Sequence, residues 1–253
     1  MAERVLMAFA AFCCASSLVY VFNDWHDRKL DALHPTKKNR PFASGAVPAA
    51  MGIALAAVLL VGAVWLAVGN PILLALLAVY LLLNMAYSLR LKQVPVVDVF
   101  IIASGFILRL LAGTLAVGIT PSHWLLLTGM FVALFLGFSK RKAETFHAAG
   151  SQRAVLTHYT PALLDTCIVM TMTGMLIAYS LFAISAESQA RHGERLIYTV
   201  PLVIFGTLRY TYQVSRGQGE DVARDLLRDP WIVATSIYWV GFFVLSRFWN
   251  QLL

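Results

Sequence analysis

Eight long apolar runs constrain this chain more than any other feature of it. They lie near 5–23, 46–68, 71–89, 97–118, 123–139, 162–185, 196–214 and 231–250. A hydrocarbon core of about 30 Å is crossed by about 20 helical residues. In lipid an unpaired backbone N–H or C=O has no water to bond, so a spanning segment must satisfy its own backbone. The runs lack the period-2 alternation of barrel strands, which leaves helices. Pro71, Pro95, Pro121, Pro161, Pro201 and Pro230 fall at or just inside the starts of segments, where a missing N–H costs least. The chain is 59% hydrophobic and 13% charged, against roughly half and a quarter in soluble domains. The expectation is an all-α fold: a polytopic membrane helical bundle of about eight transmembrane helices, forming one transmembrane domain over residues 1–253.

Lysines and arginines give the bundle an orientation. The first, third, fifth and seventh loops carry Arg28, Lys29, Lys37, Lys38 and Arg40; Arg90 and Lys92; Lys140, Arg141, Lys142 and Arg153; then Arg216, Arg224 and Arg228. The other loops hold only Arg191 and Arg195. Cytoplasmic loops carry the excess of Lys and Arg, so the odd loops are expected inside. The chain then reads as a multi-pass protein of the plasma (inner) membrane, with elaborated cytoplasmic loops near 24–45, 90–96, 140–161 and 215–230. The opposite loops are mostly tight turns. A transporter would be expected to concentrate its polarity at mid-membrane depth, so this asymmetry favours an interfacial enzyme. Cys13, Cys14 and Cys167 lie in apolar runs without metal-ligand spacing and read as packing residues. Met1-Ala2-Glu3-Arg4 leads into an apolar run with no signal-peptide cleavage pattern.

The chemistry concentrates in Asn23-Asp24-Trp25-His26-Asp27-Arg28-Lys29-Leu30-Asp31, directly after the first apolar run. On a continuing helix Asp24, Asp27 and Asp31 project from one side, three and four residues apart. Three carboxylates there repel one another unless a cation lies between them. Hard oxygen ligands at a water-accessible edge suit Mg²⁺, which binds one or two carboxylates and completes its shell with phosphates. The bland alternative is a solvated acidic helix end. Arg40, between Asn39 and Pro41 and ahead of Ser44-Gly45, is placed to hold the phosphates such a metal bridges; Lys37 and Lys38 are also accounted for by the charge rule alone.

Other loops add candidates. Tyr87-Ser88-Leu89-Arg90-Leu91-Lys92 precedes Asp98, which reads either as a helix cap or as a functional acid. Arg109 lies deep in an apolar span, where a charge needs a partner or a watery cavity, so it should face inward and reach a carboxylate or a substrate phosphate. Ser139-Lys140-Arg141-Lys142-Ala143-Glu144 puts Glu144 on a shared helix face with Lys140 or Arg141, either as a stabilised helix end or as a basic wall. His147 and Arg153 follow. His26, His34, His123, His158 and His192 read as isolated surface or interfacial residues, and the mixed charges of Gly219 to Pro230 as a solvated segment.

Asn23-Asp24-x-x-Asp27-x-x-x-Asp31 resembles the first aspartate-rich motif of the UbiA-type intramembrane prenyltransferases, and Tyr87-Ser88-x-x-Leu91-Lys92 resembles another of their signatures. The resemblance covers nearly the whole chain. It implies nine helices around a lipid-open cavity, with Mg²⁺ at the aspartates holding a diphosphate. Where those prenyltransferases carry a second aspartate-rich motif, this chain has Lys140-Arg141-Lys142-Ala143-Glu144, which suggests one fewer metal and one more phosphate to bind. His34-Pro35-Thr36-Lys37, Arg40-Pro41-x-Ala43-Ser44-Gly45, Lys140-Arg141-x-Ala143-Glu144 and Gly219-Glu220-Asp221 are similar to the decaprenyl-phosphate phosphoribosyltransferases of that superfamily. The family also has a helix ahead of the one that leads into the aspartates. Restoring it would return the N-terminus, which the charge rule puts outside, to the cytoplasm.

The resemblance therefore implies transfer of 5-phosphoribosyl from phosphoribosyl diphosphate to a polyprenyl (decaprenyl) phosphate, in the service of cell-wall biosynthesis. Asp24, Asp27 and Asp31 would hold Mg²⁺. Asn23, Lys37, Arg40, Tyr87, Lys92, Arg109, Lys140, Arg141 and Glu144 would bind substrates. The partners are the lipid bilayer and the two substrates; no nucleic acid is expected, and a homo-oligomer is compatible with the chain. Two rivals stand beside this reading. A prenyltransferase would use the same metal to ionise a polyprenyl diphosphate and alkylate an aromatic or other acceptor. A non-enzymatic polyprenyl-phosphate carrier or transporter would bind lipid without releasing diphosphate.

Overall fold

The computed structural model describes residues 2–34, 37–146, 154–219 and 221–252. The sequence readings at Pro35, Thr36, His147, Arg153 and Glu220 lie outside them. The described residues form helices and turns, without a strand. They divide into two compact units, Met1–Pro121 and Ser122–Leu253.

The first unit holds α1 (Ala2–Asp31), α2 (Ala49–Ala67), α3 (Pro71–Leu89) and α4 (Val97–Leu115). All four are long and apolar enough to cross a membrane. Their core shows what lets them pack. Ala8, Ala11 and Ala15 follow one face of α1 and are buried together with Ala63 and Ala67 of α2. Small residues permit close backbone approach, which is the main source of helix adhesion where lipid is as apolar as the side chains. Phe12 sets the spacing to α3 by an edge-on contact with Tyr80, ring centroids 5.3 Å apart. Outward residues of α2 such as Val58, Val61 and Trp65 are exposed, as is Val68 just beyond its end. A patch like that marks a surface covered by something apolar, and for these helices that is lipid.

The second unit holds α5 (His123–Phe146), α6 (Pro161–Ile184), α7 (Ala186–His192), α8 (Val200–Ser215), α9 (Val222–Arg228) and α10 (Pro230–Leu252). α5 and α6 are also long and apolar enough to span. Gly174 on α6 admits the ring of Phe131 from α5, since a Cβ there would lie 2.6 Å from it. Tyr179 ties three elements together: its hydroxyl accepts from Trp239 Nε1 of α10 (2.8 Å) and meets Thr199 Oγ1 (2.6 Å), which donates to the Leu196 carbonyl.

All eight apolar runs are helical, but their ends differ from the hydropathy limits. α1 continues through Asp31, and α5 runs seven residues past its apolar stretch to Phe146. Charged residues continue a helix once it leaves lipid, because the backbone ladder does not depend on hydropathy. The seventh run begins its α-helix only at Val200, after 3₁₀ turns over Glu194–Thr199 that follow Gly193 at φ 80°. Its 16 residues are short of a full span. Four of the six prolines sit as expected, Pro71, Pro161, Pro201 and Pro230 in the first or second helical position, while Pro95 and Pro121 each stand two residues before their helix. Asn70 and Thr160 cap α3 and α6 through Leu73 N–H and Leu163 N–H.

Candidate functional site

The acidic motif occupies the last two turns of α1, beyond the apolar stretch that ends at residue 23. Seven residues are almost two helical turns, so Asp24 and Asp31 project to the same side while Asp27 points about 60° away. The structure uses that difference. Arg40, returning from the turn after α1, donates from Nη1 to Asp24 Oδ1 (2.8 Å) and to Asp31 Oδ2 (3.0 Å). Lys92, in the 3₁₀ turn Leu91–Gln93 after α3, donates to both oxygens of Asp27 at 2.6 and 2.7 Å. His26 Nδ1 lies 3.0 Å from Asp27 Oδ1. The cations that relieve the carboxylates are thus the protein's own. Asp31 is buried, Asp24 and Asp27 half-buried.

Their electrostatics diverge accordingly. Burial pushes the Asp24 carboxyl up, and Asp31 and Asp27 add to this; Arg40 and the Asn23 side chain only partly offset it, so its pKa stands above the ordinary value. Burial also acts on Asp27, but the hydrogen bonds from Lys92 and His26 outweigh it and hold that carboxyl below the ordinary value.

Asp98 is not the cap of α4. That place belongs to Val96, at φ 69° the one positive-φ residue other than glycine among those described. A β-branched side chain is strained there, which marks the turn between Lys92 and α4 as one imposed by its surroundings. Asp98 lies fully buried in the first turn of α4.

Arg109 is exposed and not turned wholly inward as expected, and its protein partners do not include the carboxylate that was one of its two expected partners. Its Nη2 donates to Tyr80 Oη (2.6 Å) and Ser16 Oγ (3.2 Å), its Nη1 to the Gly105 carbonyl (3.1 Å), and the guanidinium lies 4.8 Å from the centre of the Tyr80 ring. Sequence reasoning missed Tyr80 and Ser16, weakly polar residues set in apolar stretches of α3 and α1. It also treated His26 as isolated.

Of the remaining first-unit candidates, Tyr87 and Asn23 are half-buried and Lys37 is exposed on the 3₁₀ turn Lys37–Asn39. In the second unit, Glu144 pairs with Arg141, at 2.8 Å, and not with Lys140. Arg141 is buried and Lys140 exposed. The segment read as bland contains a built cluster: buried Asp229 receives Arg209 Nε and Gln213 Nε2 on Oδ2 at 2.9 and 2.8 Å, and caps α10 through Trp231 and Ile232 N–H on Oδ1. The hydrogen bond from Arg209 is the largest influence on the Asp229 carboxyl and holds it below its ordinary pKa.

The donor set at the end of α1 suits a magnesium ion of the kind that needs its substrate. Among the described residues no three His, Cys, Asp or Glu side chains stand close enough together to hold a metal alone. Asp24 and Asp27 offer hard oxygens at a half-buried edge, each already paired with a displaceable cation. Mg²⁺ takes one or two carboxylates and leaves other positions to phosphate and water, so these residues fit it.

The UbiA prenyltransferase family matches residues 2–228. A decaprenyl-phosphate phosphoribosyltransferase of Corynebacterium glutamicum is 34% identical over 250 residues, 96% of this chain and 75% of that protein. The Mycolicibacterium smegmatis protein of the same name is 33% identical over 95% of this chain and 79% of its own length. Among solved structures, a UbiA homolog from Archaeoglobus fulgidus bound to GPP and Mg²⁺ superposes with a TM-score of 0.72 at 18% identity, over 97% of this chain and 87% of that one. At that identity the likeness concerns the fold.

Proposed function

This chain belongs to the UbiA prenyltransferase family, and from that premise we propose that it transfers 5-phosphoribosyl from phosphoribosyl diphosphate to a polyprenyl phosphate, releasing diphosphate. The observation that carries the reading is the pair of carboxylate–cation contacts, Arg40 on Asp24 and Asp31 and Lys92 on Asp27, in relatives' company that bears this activity's name. The excess of basic loop residues supports an active site on the cytoplasmic face of the plasma membrane. The match over residues 2–228 supports treating the whole chain as one catalytic domain.

Asp24 and Asp27, helped by Asn23 and Asp31, would hold Mg²⁺, which supplies charge neutralisation for the departing diphosphate. Arg40 and Lys92 then have a second role. Released from the carboxylates, they are positioned cations for phosphate oxygens. An oxygen of the polyprenyl phosphate forms a bond to the ribose C1, and the bond from C1 to the diphosphate oxygen breaks with its electron pair. The attacking phosphate is already anionic, so no general base is required and catalysis rests on positioning and electrostatics. Lys37, Tyr87, Lys140, Arg141 and Glu144 belong to the reading as further substrate contacts, Arg141 through its orientation by Glu144.

A prenyltransferase is the second reading, favoured by solved relatives bound to GPP or DMAPP with Mg²⁺. Purified protein in detergent with Mg²⁺ separates the two. Diphosphate release from phosphoribosyl diphosphate plus decaprenyl phosphate, abolished by EDTA, is the expected result. Release only from a prenyl diphosphate plus an aromatic acceptor would replace it with the second reading.

A further inference from the structure

The first unit carries a line of polar side chains that runs inward from the acidic end. On α1, Ser16, Asn23 and Asp27 fall within about 40° of one face at 100° per residue. On α3, Tyr80, Asn84, Tyr87 and Ser88 stand at i, i+4, i+7 and i+8 of an otherwise apolar helix. Asp27 and Lys92 close the outer end of the line, and Arg109 with Tyr80 and Ser16 closes the inner end. Polar groups at such depth are costly unless something polar uses them.

Arg109 is built to receive an anion. A guanidinium has five N–H donors, and the contacts to Tyr80, Ser16 and Gly105 use three of them. Gly105 lies directly against the pair: a Cβ there would be in ordinary contact with both Arg109 Nη1 and the Tyr80 ring, 3.5 Å from each. Tyr80 is buried and orients the fork from below, while Arg109 itself remains exposed. Lys92, the other candidate for the lipid phosphate, stands beside Asp27 at the leaving-group end, where once released it faces the diphosphate.

We propose that Arg109, held in place by Tyr80 and Ser16, binds the phosphate of the acceptor lipid. The proposal rests on the phosphoribosyl-transfer reading. In a displacement at C1 the nucleophile and the leaving group stand on opposite sides of the carbon, roughly 3 Å or more from it before reaction. The acceptor phosphate must therefore lie several ångströms from the diphosphate, on the side away from the aspartates. Ser16 is eleven residues from Asp27, about 16 Å along α1. The Asp27 side chain leans along α1 in the direction of Ser16, where Arg109 is held, and the diphosphate, the ribose and the acceptor phosphate would together occupy the remaining distance. Arg109 binds substrate in this scheme, and Tyr80 is a positioning residue.

The test is steady-state kinetics of Arg109→Ala, Arg109→Lys and Tyr80→Phe in detergent, with decaprenyl phosphate and phosphoribosyl diphosphate varied separately. Loss of a charge-assisted hydrogen-bond pair should raise the KM for decaprenyl phosphate about tenfold or more in Arg109→Ala. The KM for phosphoribosyl diphosphate should stay within about twofold, because the diphosphate is held elsewhere. Tyr80→Phe should move the acceptor KM alone, by a smaller factor. A binding competition between decaprenyl phosphate and decaprenol reads the same site without turnover: the wild-type preference for the phosphate should vanish in Arg109→Ala. A folded Arg109→Ala protein with unchanged acceptor KM and unchanged preference overturns the proposal. If that variant does not fold, Arg109→Lys decides on the same two readouts, since it keeps the charge and loses the fork. A wild-type protein that prefers decaprenyl phosphate through Arg109 yet transfers no phosphoribosyl would refute the reaction and leave the phosphate site standing.

Discussion

Replacing Asp27 with Asn separates the two roles given to that carboxylate. The side chain keeps its shape and loses its charge, so Lys92 Nζ, now 2.6 and 2.7 Å from two oxygens, loses its ion pair. Both side chains are less than one-fifth exposed, so the contact is only partly screened. Two unit charges at this range attract by about 6 kcal/mol at an effective dielectric of 20, and desolvation offsets much of that. A net loss of about 1–3 kcal/mol is expected, comparable to other hydrogen bonds between charged groups. In a chain of this length it lowers the thermal midpoint by about 2–4 °C per kcal/mol. The effect on catalysis is of a different kind. Removing one electrostatic group from the site of developing charge costs about 10²–10³ in turnover, or about 2.7–4 kcal/mol of barrier. The assay is diphosphate release in detergent across a Mg²⁺ titration, beside a thermal melt. Adding Lys92→Met to Asp27→Asn should recover much of the midpoint, because no lone ammonium remains, and recover none of the turnover. Wild-type turnover and Mg²⁺ dependence in the single variant would refute the metal role of Asp27.

Two further outcomes follow from the second unit. Asp229 has its pKa depressed in the folded protein, chiefly by the hydrogen bond from Arg209. Its contribution is therefore fully present above the unfolded carboxyl value, about 3.9, and is lost as the pH falls through the lower folded value. The thermal midpoint of the wild type should drop on acidification below about pH 4, and Asp229→Asn should start lower and lack that part of the drop; melts between pH 3 and 7 check both. Gly174→Leu should lower the midpoint through overpacking of about 1–3 kcal/mol, since even a Cβ would meet the Phe131 ring at 2.6 Å. Adding Phe131→Ala should restore part of it, which the same melts would show.

Much of the site was legible in residue order, and the shortfalls have common causes. The carboxylates of Asp24, Asp27 and Asp31 were recognisable because their spacing matches the helical repeat, and α1 does continue through them. Arg40 stood out by its neighbours and proved to be the residue that bridges Asp24 and Asp31. The depth of Arg109 in an apolar run announced a charge that needs partners, but not that it would stay exposed, nor that its partners would be Tyr80, 29 residues away, and Ser16 at 93. Asp229 was invisible among mixed charges, because its importance lies in burial, which composition does not register.

The sequence by itself determined the helices, the prolines in their first turns and the acidic turn at the end of α1. These depend on interactions within a few residues: apolar length against the width of lipid, and the backbone ladder that each segment must complete alone. Only the tertiary structure decided which charge meets which. Asp27 faces Lys92 across 65 residues, and Glu144 takes Arg141 rather than Lys140. Within α5, pairing rests on which face the helix buries; across α1, α3 and α4 it rests on how far each slides and rotates against its neighbours. The small-residue contacts of Ala8, Ala11 and Ala15 fix part of that geometry. A 100° turn of one helix would exchange every partner while leaving the hydropathy of the chain unchanged.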